Sequence, residues 1–362
     1  MVGKKRMAKN DLAMQQQLSK NRMEVSFDTY DLAVRQLVDM FQENTLRISP
    51  EYQRHFVWDD VRQSQLIESL LLGIPVPSLF MATNNDFSWE VVDGLQRLTT
   101  LIRFIGDEEA LNLLANKGKN KVSYTPLKLT GLEKLTEFNG FCFSELPTTI
   151  QTMFKHRPIK VTVLNDKSDE GVRYDLFERL NTGGIILEPQ EIRNCVYQGP
   201  FNDLLKECSK NIDFRNVVKL GIKSKESMYE EMVLRFFAYL DWKDKFVHDV
   251  KDFLNDYMKY QVVNNFDRDA YQKIFEDTFR ILNSLLEEGI VRGNRKTITP
   301  VVLFEAISVG VASHLKCSEQ PIEKSKLNHL LNDVELKSYT TGATNSQSKL
   351  NKRLEYVLSN LV

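Results

Sequence analysis

The stretch VVDGLQRLTTL, residues 91–101, joins an apolar run to the beginning of an amphipathic helix. The apolar run, which starts near residue 89, is typical of a buried strand, and the leucines that follow recur at helical spacing. Gly94 permits a tight turn between the two. The sequence therefore predicts a strand that ends at Asp93 and turns at once into a helix over about residues 96–105.

A strand that turns into a helix offers a candidate anion site. The amides of the first helical turn have no partner within the helix and lie at the positive end of its dipole. Gly94 would let a ligand approach the backbone, Arg97 could fork onto phosphate oxygens, and Asp93 could hold Mg2+ or orient a water. The alternative is that Asp93 only caps the helix while Arg97 pairs with a surface carboxylate. Neither a GxxxxGKS/T motif nor GxGxxG occurs, which excludes a P-loop and a dinucleotide fold.

The segment ISPEYQRHFVW, residues 48–58, crowds aromatic and hydrogen-bonding side chains between a predicted strand and a predicted helix. Tyr52, Gln53 and Arg54 offer a stacking plane, an amide and a guanidinium, which suit a nucleobase or a flipped DNA base. The alternative is that Tyr52 and Trp58 anchor the core and that Arg54 forms a structural ion pair. We favour a ligand role for Gln53 and Arg54, and a core position for Trp58.

The segment FERLNTGG, residues 177–184, predicts a helix followed by a tight loop, and a further helix begins at Pro189, its preferred first position. The loop and this helix could present their polar residues to the same cleft. The alternative is a simple connector between two helices. The candidate ligand-contacting residues here are Asn181, Gly183, Gly184, Glu191 and Arg193.

The rest of the pattern alternates strands and helices up to about residue 200 and is almost wholly helical afterwards. It predicts a helix over residues 29–41 with Asp28 as its N-cap. A second helix, capped by Asp59 or Asp60, should end at Gly73. Residues 106–150 are predicted to be an insertion, with three lysines at its tip: Lys117, Lys119 and Lys121.

The composition is that of an ordinary globular protein, with 42% hydrophobic and 27% charged residues and a net charge of -1 over 362 residues. A nucleic-acid surface would therefore have to be a local patch. No apolar run approaches the length of about 18–20 residues that a membrane span needs. Four scattered cysteines, interpreted as buried thiols in a reducing compartment, favour a cytoplasmic protein: Cys142, Cys195, Cys208 and Cys317.

Taken together, the motifs follow the order found in the N-terminal domain family of GmrSD-type modification-dependent restriction enzymes, and the chain resembles that family from about residue 24 to 240. The resemblance implies a ParB/sulfiredoxin-like fold of class α+β, with a small mixed sheet and helices. With the pattern above it predicts a basic flexible arm at 1–22, a nucleotide-binding domain of this fold at 23–200 and a mostly helical domain at 201–362. The shared motifs are YQRxxVW, LLGxPxP, VDGxQRLTTL and FxRLNTGGxxLxxQEIRN.

The family's DGQQR motif serves nucleotide binding and hydrolysis. The resemblance therefore implies catalytic roles for Asp93, Gln96 and Arg97, with Asp93 as metal ligand, and a nucleoside triphosphate and Mg2+ as cofactors. Leu95 stands where the family has its first Gln. A leucine can neither position a water nor bond a phosphate, so we expect slow turnover or binding without turnover.

Many members of the family carry a C-terminal HNH nuclease domain. After residue 200 the histidines of this chain are His248, His314 and His329, and none has a suitable cluster of metal-binding residues near it in sequence. We therefore expect a short form that lacks a nuclease of its own and has a separately encoded effector protein as partner.

Three functions follow from these observations. The first is a nucleotide-binding and NTP-hydrolysing regulatory or sensor component of a prokaryotic anti-phage or restriction system that acts on DNA. The second is a non-enzymatic, antitoxin-like module whose helical half docks an effector nuclease. The third is a ParB-like nuclease, for which Asp93, Glu51 and Glu191 would be the metal ligands.

Overall fold

The computed structural model describes residues 14–19, 25–48, 58–84, 86–117, 124–165, 170–180, 187–221, 226–293, 297–318 and 320–361. The chain forms two compact units, residues 1–186 and 187–362. This division lies before the boundary predicted at residue 200, because the helix that begins at Pro189 packs with the helices that follow it. Of the predicted basic arm only residues 14–19 are described, as a short helical stretch, and the rest lies outside the described residues.

The first unit is built on a mixed sheet whose five described strands lie in the order β1-β5-β3-β4-β2. The β1/β5 and β3/β4 pairs are antiparallel, whereas β3/β5 and β2/β4 are parallel. A register shift between Phe80 and Met81 marks the β3/β4 pair. The strands are β1 Phe27–Ala33, β2 Leu46–Arg47, β3 Leu79–Thr83, β4 Trp89–Asp93 and β5 Pro158–Leu164.

Helices pack around this sheet, and their buried faces form its core. The N-cap Asp59 accepts a hydrogen bond from the Arg62 amide, and Gly73 ends the same helix in the left-handed conformation, both as predicted. The helices of this unit are α1 Val34–Gln42, α2 Asp60–Leu72, α3 Leu95–Ile105, α4 Glu108–Lys117, α5 Thr148–Lys155 and α6 Glu170–Leu180.

The prediction of a helix over residues 29–41 is wrong in its first part. Residues 29–33 belong to β1, which pairs with β5 from Phe27 to Ala33, and the helix begins only at Val34 with Ala33 as its N-cap. The first five positions of β1 are exposed, so the strand has no alternation of buried and exposed residues that the sequence could reveal. Pairing with a distant strand decides its conformation.

The segment 106–150 is part of the fold of the first unit rather than a separate insertion. The Phe143 ring packs edge-on against Phe104 of α3, with centroids 5.2 Å apart. The Glu68 carboxylate in α2 accepts hydrogen bonds from two amides of the segment, at Lys134 and Leu135, each at 2.8 Å. The side chains of the predicted tip lysines, Lys117, Lys119 and Lys121, lie outside the described residues.

The described part of the second unit is mostly helical, which confirms the predicted α+β class with a helical C-terminal region. Phenylalanine rings fill much of its core; Phe214 and Phe279, for example, pack edge-on at 4.9 Å. Its helices are α7 Pro189–Val196, α8 Pro200–Cys208, α9 Ile212–Val217, α10 Glu226–Trp242, α11 Val250–Val263, α12 Arg268–Leu285, α13 Val301–Cys317, α14 Lys324–Asn332, α15 Val334–Thr340 and α16 Gln347–Leu361.

The four cysteines are free thiols, but they are not all buried as predicted. Cys195 and Cys208 are buried, Cys142 is half-buried and Cys317 is exposed at the end of α13. Burial, with the nearby carboxylates of Glu276 and Glu207, raises the pKa of the Cys208 thiol to about 12. Among the described helices, none has both the length and the apolar character that crossing a membrane would require.

Candidate nucleotide site

The turn between β4 and α3 has the geometry that the sequence predicts. Gly94 is the N-cap of α3, with φ of 99°, a conformation that favours glycine. A Cβ atom at this position would lie 2.4 Å from the Leu79 side chain, so both the backbone and the packing require glycine. A glycine N-cap has no side chain to cap the helix, and Asp93 is the last residue of β4 rather than the cap.

Asp93 and Arg97 form an ion pair one helical turn apart, with 2.7 Å between Arg97 Nη2 and Asp93 Oδ2. The other terminal nitrogen of Arg97 donates to the backbone carbonyls of Pro77 and Ser78, at 2.5 and 3.0 Å. The Arg97 side chain is 14% exposed and that of Asp93 is 37% exposed. The arginine is therefore engaged with protein, while the carboxylate is the more accessible member of the pair.

The remaining residues of the motif point in different directions. Leu95 is buried, so the residue that departs from the family pattern belongs to the core. The Gln96 side-chain oxygen accepts a hydrogen bond from the backbone N–H of Trp58, at 3.2 Å. Trp58 is half-buried, and the guanidinium carbon of Arg62 lies 4.9 Å from the centre of its ring.

Glu191 and Arg193 are buried in the second unit, on α7. The Glu191 carboxylate accepts a hydrogen bond from the Glu188 amide at the start of this helix, at 2.8 Å. Arg193 donates to Asn255 at 2.8 Å and to Glu231 at 3.1 Å. Both side chains thus have partners within the helical unit.

The other predicted ligand-contacting residues lie outside the described residues, as does Glu51 of the predicted nuclease set. They are Tyr52, Gln53, Arg54, Asn181, Gly183 and Gly184. Sequence reasoning missed the contribution of the carbonyls of Pro77 and Ser78. Pro77 closes the LLGxPxP motif, where we interpreted the prolines only as residues that end the preceding helix.

The donor set suits Mg2+ only in part. Mg2+ is commonly held by one or two carboxylates together with substrate phosphates and waters. Asp93 can supply one such carboxylate at the edge of the turn. Among the described residues no cluster of three or more His, Cys, Asp or Glu side chains could hold a metal ion. A magnesium ion at Asp93 would therefore have to arrive with phosphate ligands.

Comparison with known protein families gives one match that covers these motifs. Residues 34–198 match the family model described as the N-terminal domain of the GmrSD restriction endonuclease. Residues 34–198 form a GmrSD-type N-terminal domain. The match includes the β4–α3 turn, the segment that ends at Trp58 and helix α7, so this domain extends past the division between the two compact units.

Other comparisons add little to this GmrSD-type domain. A solved Pnob8-like ParB-N domain is similar to the chain at 12% sequence identity, over 92% of this chain and 99% of that one, with a TM-score of 0.23. A TM-score this low leaves the fold to be argued from the strands and helices themselves. No curated protein matches the chain.

Proposed function

We propose that this chain is a nucleotide-binding regulatory component of a prokaryotic restriction or anti-phage system that acts on DNA. The GmrSD-type domain supports the kind of system. The observation that carries nucleotide binding is the β4–α3 turn, where a glycine N-cap presents the first amides of α3 beside the accessible carboxylate of Asp93. We place the activity in the cytoplasm, where nucleotide and Mg2+ are abundant and free thiols stay reduced.

In this proposal the amides after Gly94 bind phosphate oxygens, and Asp93 binds Mg2+ that is shared with those phosphates. Arg97 serves two purposes: it orients the Asp93 carboxylate and adds positive charge at the edge of the turn. Tyr52, Gln53, Arg54, Asn181, Gly183 and Gly184 are proposed to contact the nucleotide on the strength of the family motifs alone. Glu191 and Arg193 are left out of the site, because their side chains are engaged in the helical unit.

Turnover should be slow. The family's first glutamine is Leu95 here and is buried, and the oxygen of Gln96 is bonded to Trp58. Of the predicted catalytic residues, Asp93 remains the best placed to orient a water. The antitoxin-like alternative is favoured by the same observation, because a site without its catalytic amide can still bind. A nuclease is disfavoured, since Glu191 is buried with its carboxylate bonded to the start of α7.

The test is phosphate release from ATP, GTP, CTP and UTP with Mg2+, with and without DNA, beside a thermal-shift assay. Ligand at 100 times Kd should stabilise the protein by about 2.7 kcal/mol. Asp93→Asn should abolish turnover, and Arg97→Ala should weaken binding. Arg35→Ala is the matched control, because Arg35 and Asp39 form an exposed i,i+4 pair on α1 with the same separation along the helix.

Two results would redirect the proposal. A nucleotide-dependent thermal shift without phosphate release, together with co-purification of an effector protein, would favour the antitoxin-like module. The absence of a shift with all four nucleotides would refute nucleotide binding. Equal effects of Arg35→Ala and Arg97→Ala would show that the loss is a general one and is not specific to the turn.

A further inference from the structure

Two glutamine side chains hold the peptide groups of Trp58 from opposite sides. The Gln96 oxygen accepts from the Trp58 N–H at 3.2 Å, and the Gln63 amide nitrogen donates to the Trp58 carbonyl at 2.8 Å. Trp58 is the last residue of the YQRHFVW segment, and Gln96 belongs to the DGLQR motif. The two motifs, well separated in sequence, are therefore joined through this one residue.

The orientation of the Gln63 amide is fixed by its neighbours. Gln63 is fully buried, and its oxygen accepts a hydrogen bond from Arg103 Nη1 at 2.7 Å. A guanidinium can only donate, so the oxygen must face Arg103 and the nitrogen must face Trp58. Arg103 is also buried, and the same nitrogen donates to Asp60 at 2.9 Å. Gln63 is thus a rigid link between Arg103 of α3 and the Trp58 carbonyl.

Capping of α2 does not account for this arrangement. The N-cap Asp59 already accepts from the Arg62 amide through its side chain at 2.8 Å, and its carbonyl accepts from the Gln63 amide at 3.1 Å. Trp58 precedes the cap and is outside the helix. Burying a glutamine and an arginine costs free energy unless every group is bonded, so a network that serves a residue beyond the helix calls for another purpose.

We propose that Gln63 and Gln96 are positioning residues that fix the end of the YQRHFVW segment against the β4–α3 turn. On this proposal Gln96 does not act on the reacting phosphate; it holds the backbone of the segment whose Gln53 and Arg54 the family motif assigns to the ligand. Gln63, which lies in none of the four motifs, becomes part of the nucleotide site's support. The inference rests on the proposed function, since it assigns the clamp its purpose there.

The first arm of the test needs no nucleotide. Hydrogen exchange of the Trp58 amide is measured in the full-length protein and in Gln96→Leu, Gln96→Glu, Gln63→Met and Gln63→Glu variants. Gln96→Leu should speed exchange of this amide by about tenfold, the order of one lost hydrogen bond, while Gln96→Glu keeps an acceptor and should stay close to the wild type. Gln151→Leu is the matched control, because Gln151 also donates to backbone carbonyls in the first unit, at Ser144 and Leu146.

The second arm measures nucleotide affinity and turnover in the same proteins. Gln96→Leu and both Gln63 variants should weaken nucleotide binding by about tenfold, with the loss in Kd rather than in the rate of the bound complex. Gln96→Glu should recover most of the affinity. A Gln63→Glu side chain can still accept from Arg103 but cannot donate to the Trp58 carbonyl, so this variant tests the clamp even if Gln63→Met fails to fold.

Each outcome decides the matter. The clamp is refuted if the Trp58 amide exchanges at the wild-type rate in Gln96→Leu, or if Gln96→Glu binds nucleotide as poorly as Gln96→Leu. A loss confined to turnover would make Gln96 catalytic instead. A wild-type protein that binds no nucleotide would refute the proposed function and the purpose of the clamp. Wild-type binding that Gln96→Leu leaves unchanged would refute the clamp alone.

Discussion

The Gly94→Ala variant should lose stability for two separate reasons that the structure allows one to add. An alanine held at φ of 99° pays the penalty of a left-handed backbone, about 1–2 kcal/mol. Its Cβ would lie 2.4 Å from the Leu79 side chain and 3.3 Å from Arg97 Nη2. Overpacking of that kind typically costs about 1–3 kcal/mol. The expected total loss is about 2–5 kcal/mol.

Gly140→Ala is the matched control. Gly140 has φ of 89°, and a Cβ there would meet no atom within 4 Å, so only the backbone penalty applies. The two variants are compared by native-state hydrogen exchange of peptides from β4 and α3, because the chain has two compact units and a single unfolding midpoint would mix them. Each loss of about 1.4 kcal/mol should speed exchange tenfold, so Gly94→Ala should exceed the control by about five- to a hundredfold. Equal losses in the two variants would show that the contact with Leu79 relaxes freely and that the turn is not tightly packed.

Three further predictions concern other parts of the chain. Burial alone would raise the pKa of Glu231, but the cations Arg235 and Arg193 hold it below its ordinary value of 4.5; the second unit should therefore lose stability as the pH falls below 4.5, and Glu231→Gln should flatten this dependence in a urea titration across pH, whereas a curve that the substitution leaves unchanged would argue against the pair. Alkylation of the native protein at pH 8 should modify the exposed Cys317 first and leave Cys208 unreactive until urea is added; mass spectrometry of the digest checks the order, and early modification of Cys208 would contradict its burial. Leu95→Gln, which restores the family's residue, should destabilise the protein by about 1–3 kcal/mol without raising the rate of phosphate release, because position 95 is buried; faster release would show that this side chain can reach the nucleotide.

The parts of the fold that are decided locally could be predicted from the sequence. The β4–α3 turn follows from an apolar run, a glycine and helical spacing, and the ends of α2 follow from Asp59 and Gly73. Strand β1 could not be predicted, because its exposed residues carry no periodicity and its conformation depends on pairing with β5, far along the chain.

The candidate site shows the same limit. The sequence identifies Asp93, Gly94 and Arg97 as a group, and they do lie together. It cannot show that Arg97 is bonded to Asp93 itself and to two carbonyls before β3, since those carbonyls belong to residues without a chemical signal. Arg193 is a similar case, because its partners Glu231 and Asn255 lie on helices that only tertiary packing brings to it.

The five residues of the DGLQR motif have largely architectural roles. Gly94 makes the turn possible, Leu95 fills the core and the Gln96 oxygen is bonded to Trp58. Arg97 ties the start of α3 to the carbonyls before β3 and to the Asp93 carboxylate. Asp93 and the backbone amides are then what the motif offers to a ligand, because the other side chains are occupied in presenting them.

This division of labour bears on the departure at position 95. If the motif acted mainly through its side chains, leucine for glutamine would remove a ligand contact and weaken binding. Since the side chain at this position lies in the core, the substitution leaves the turn, the amides and Asp93 in place. Binding and hydrolysis thus rest on different atoms of one motif, and a chain with this sequence can retain the first while the second is slow.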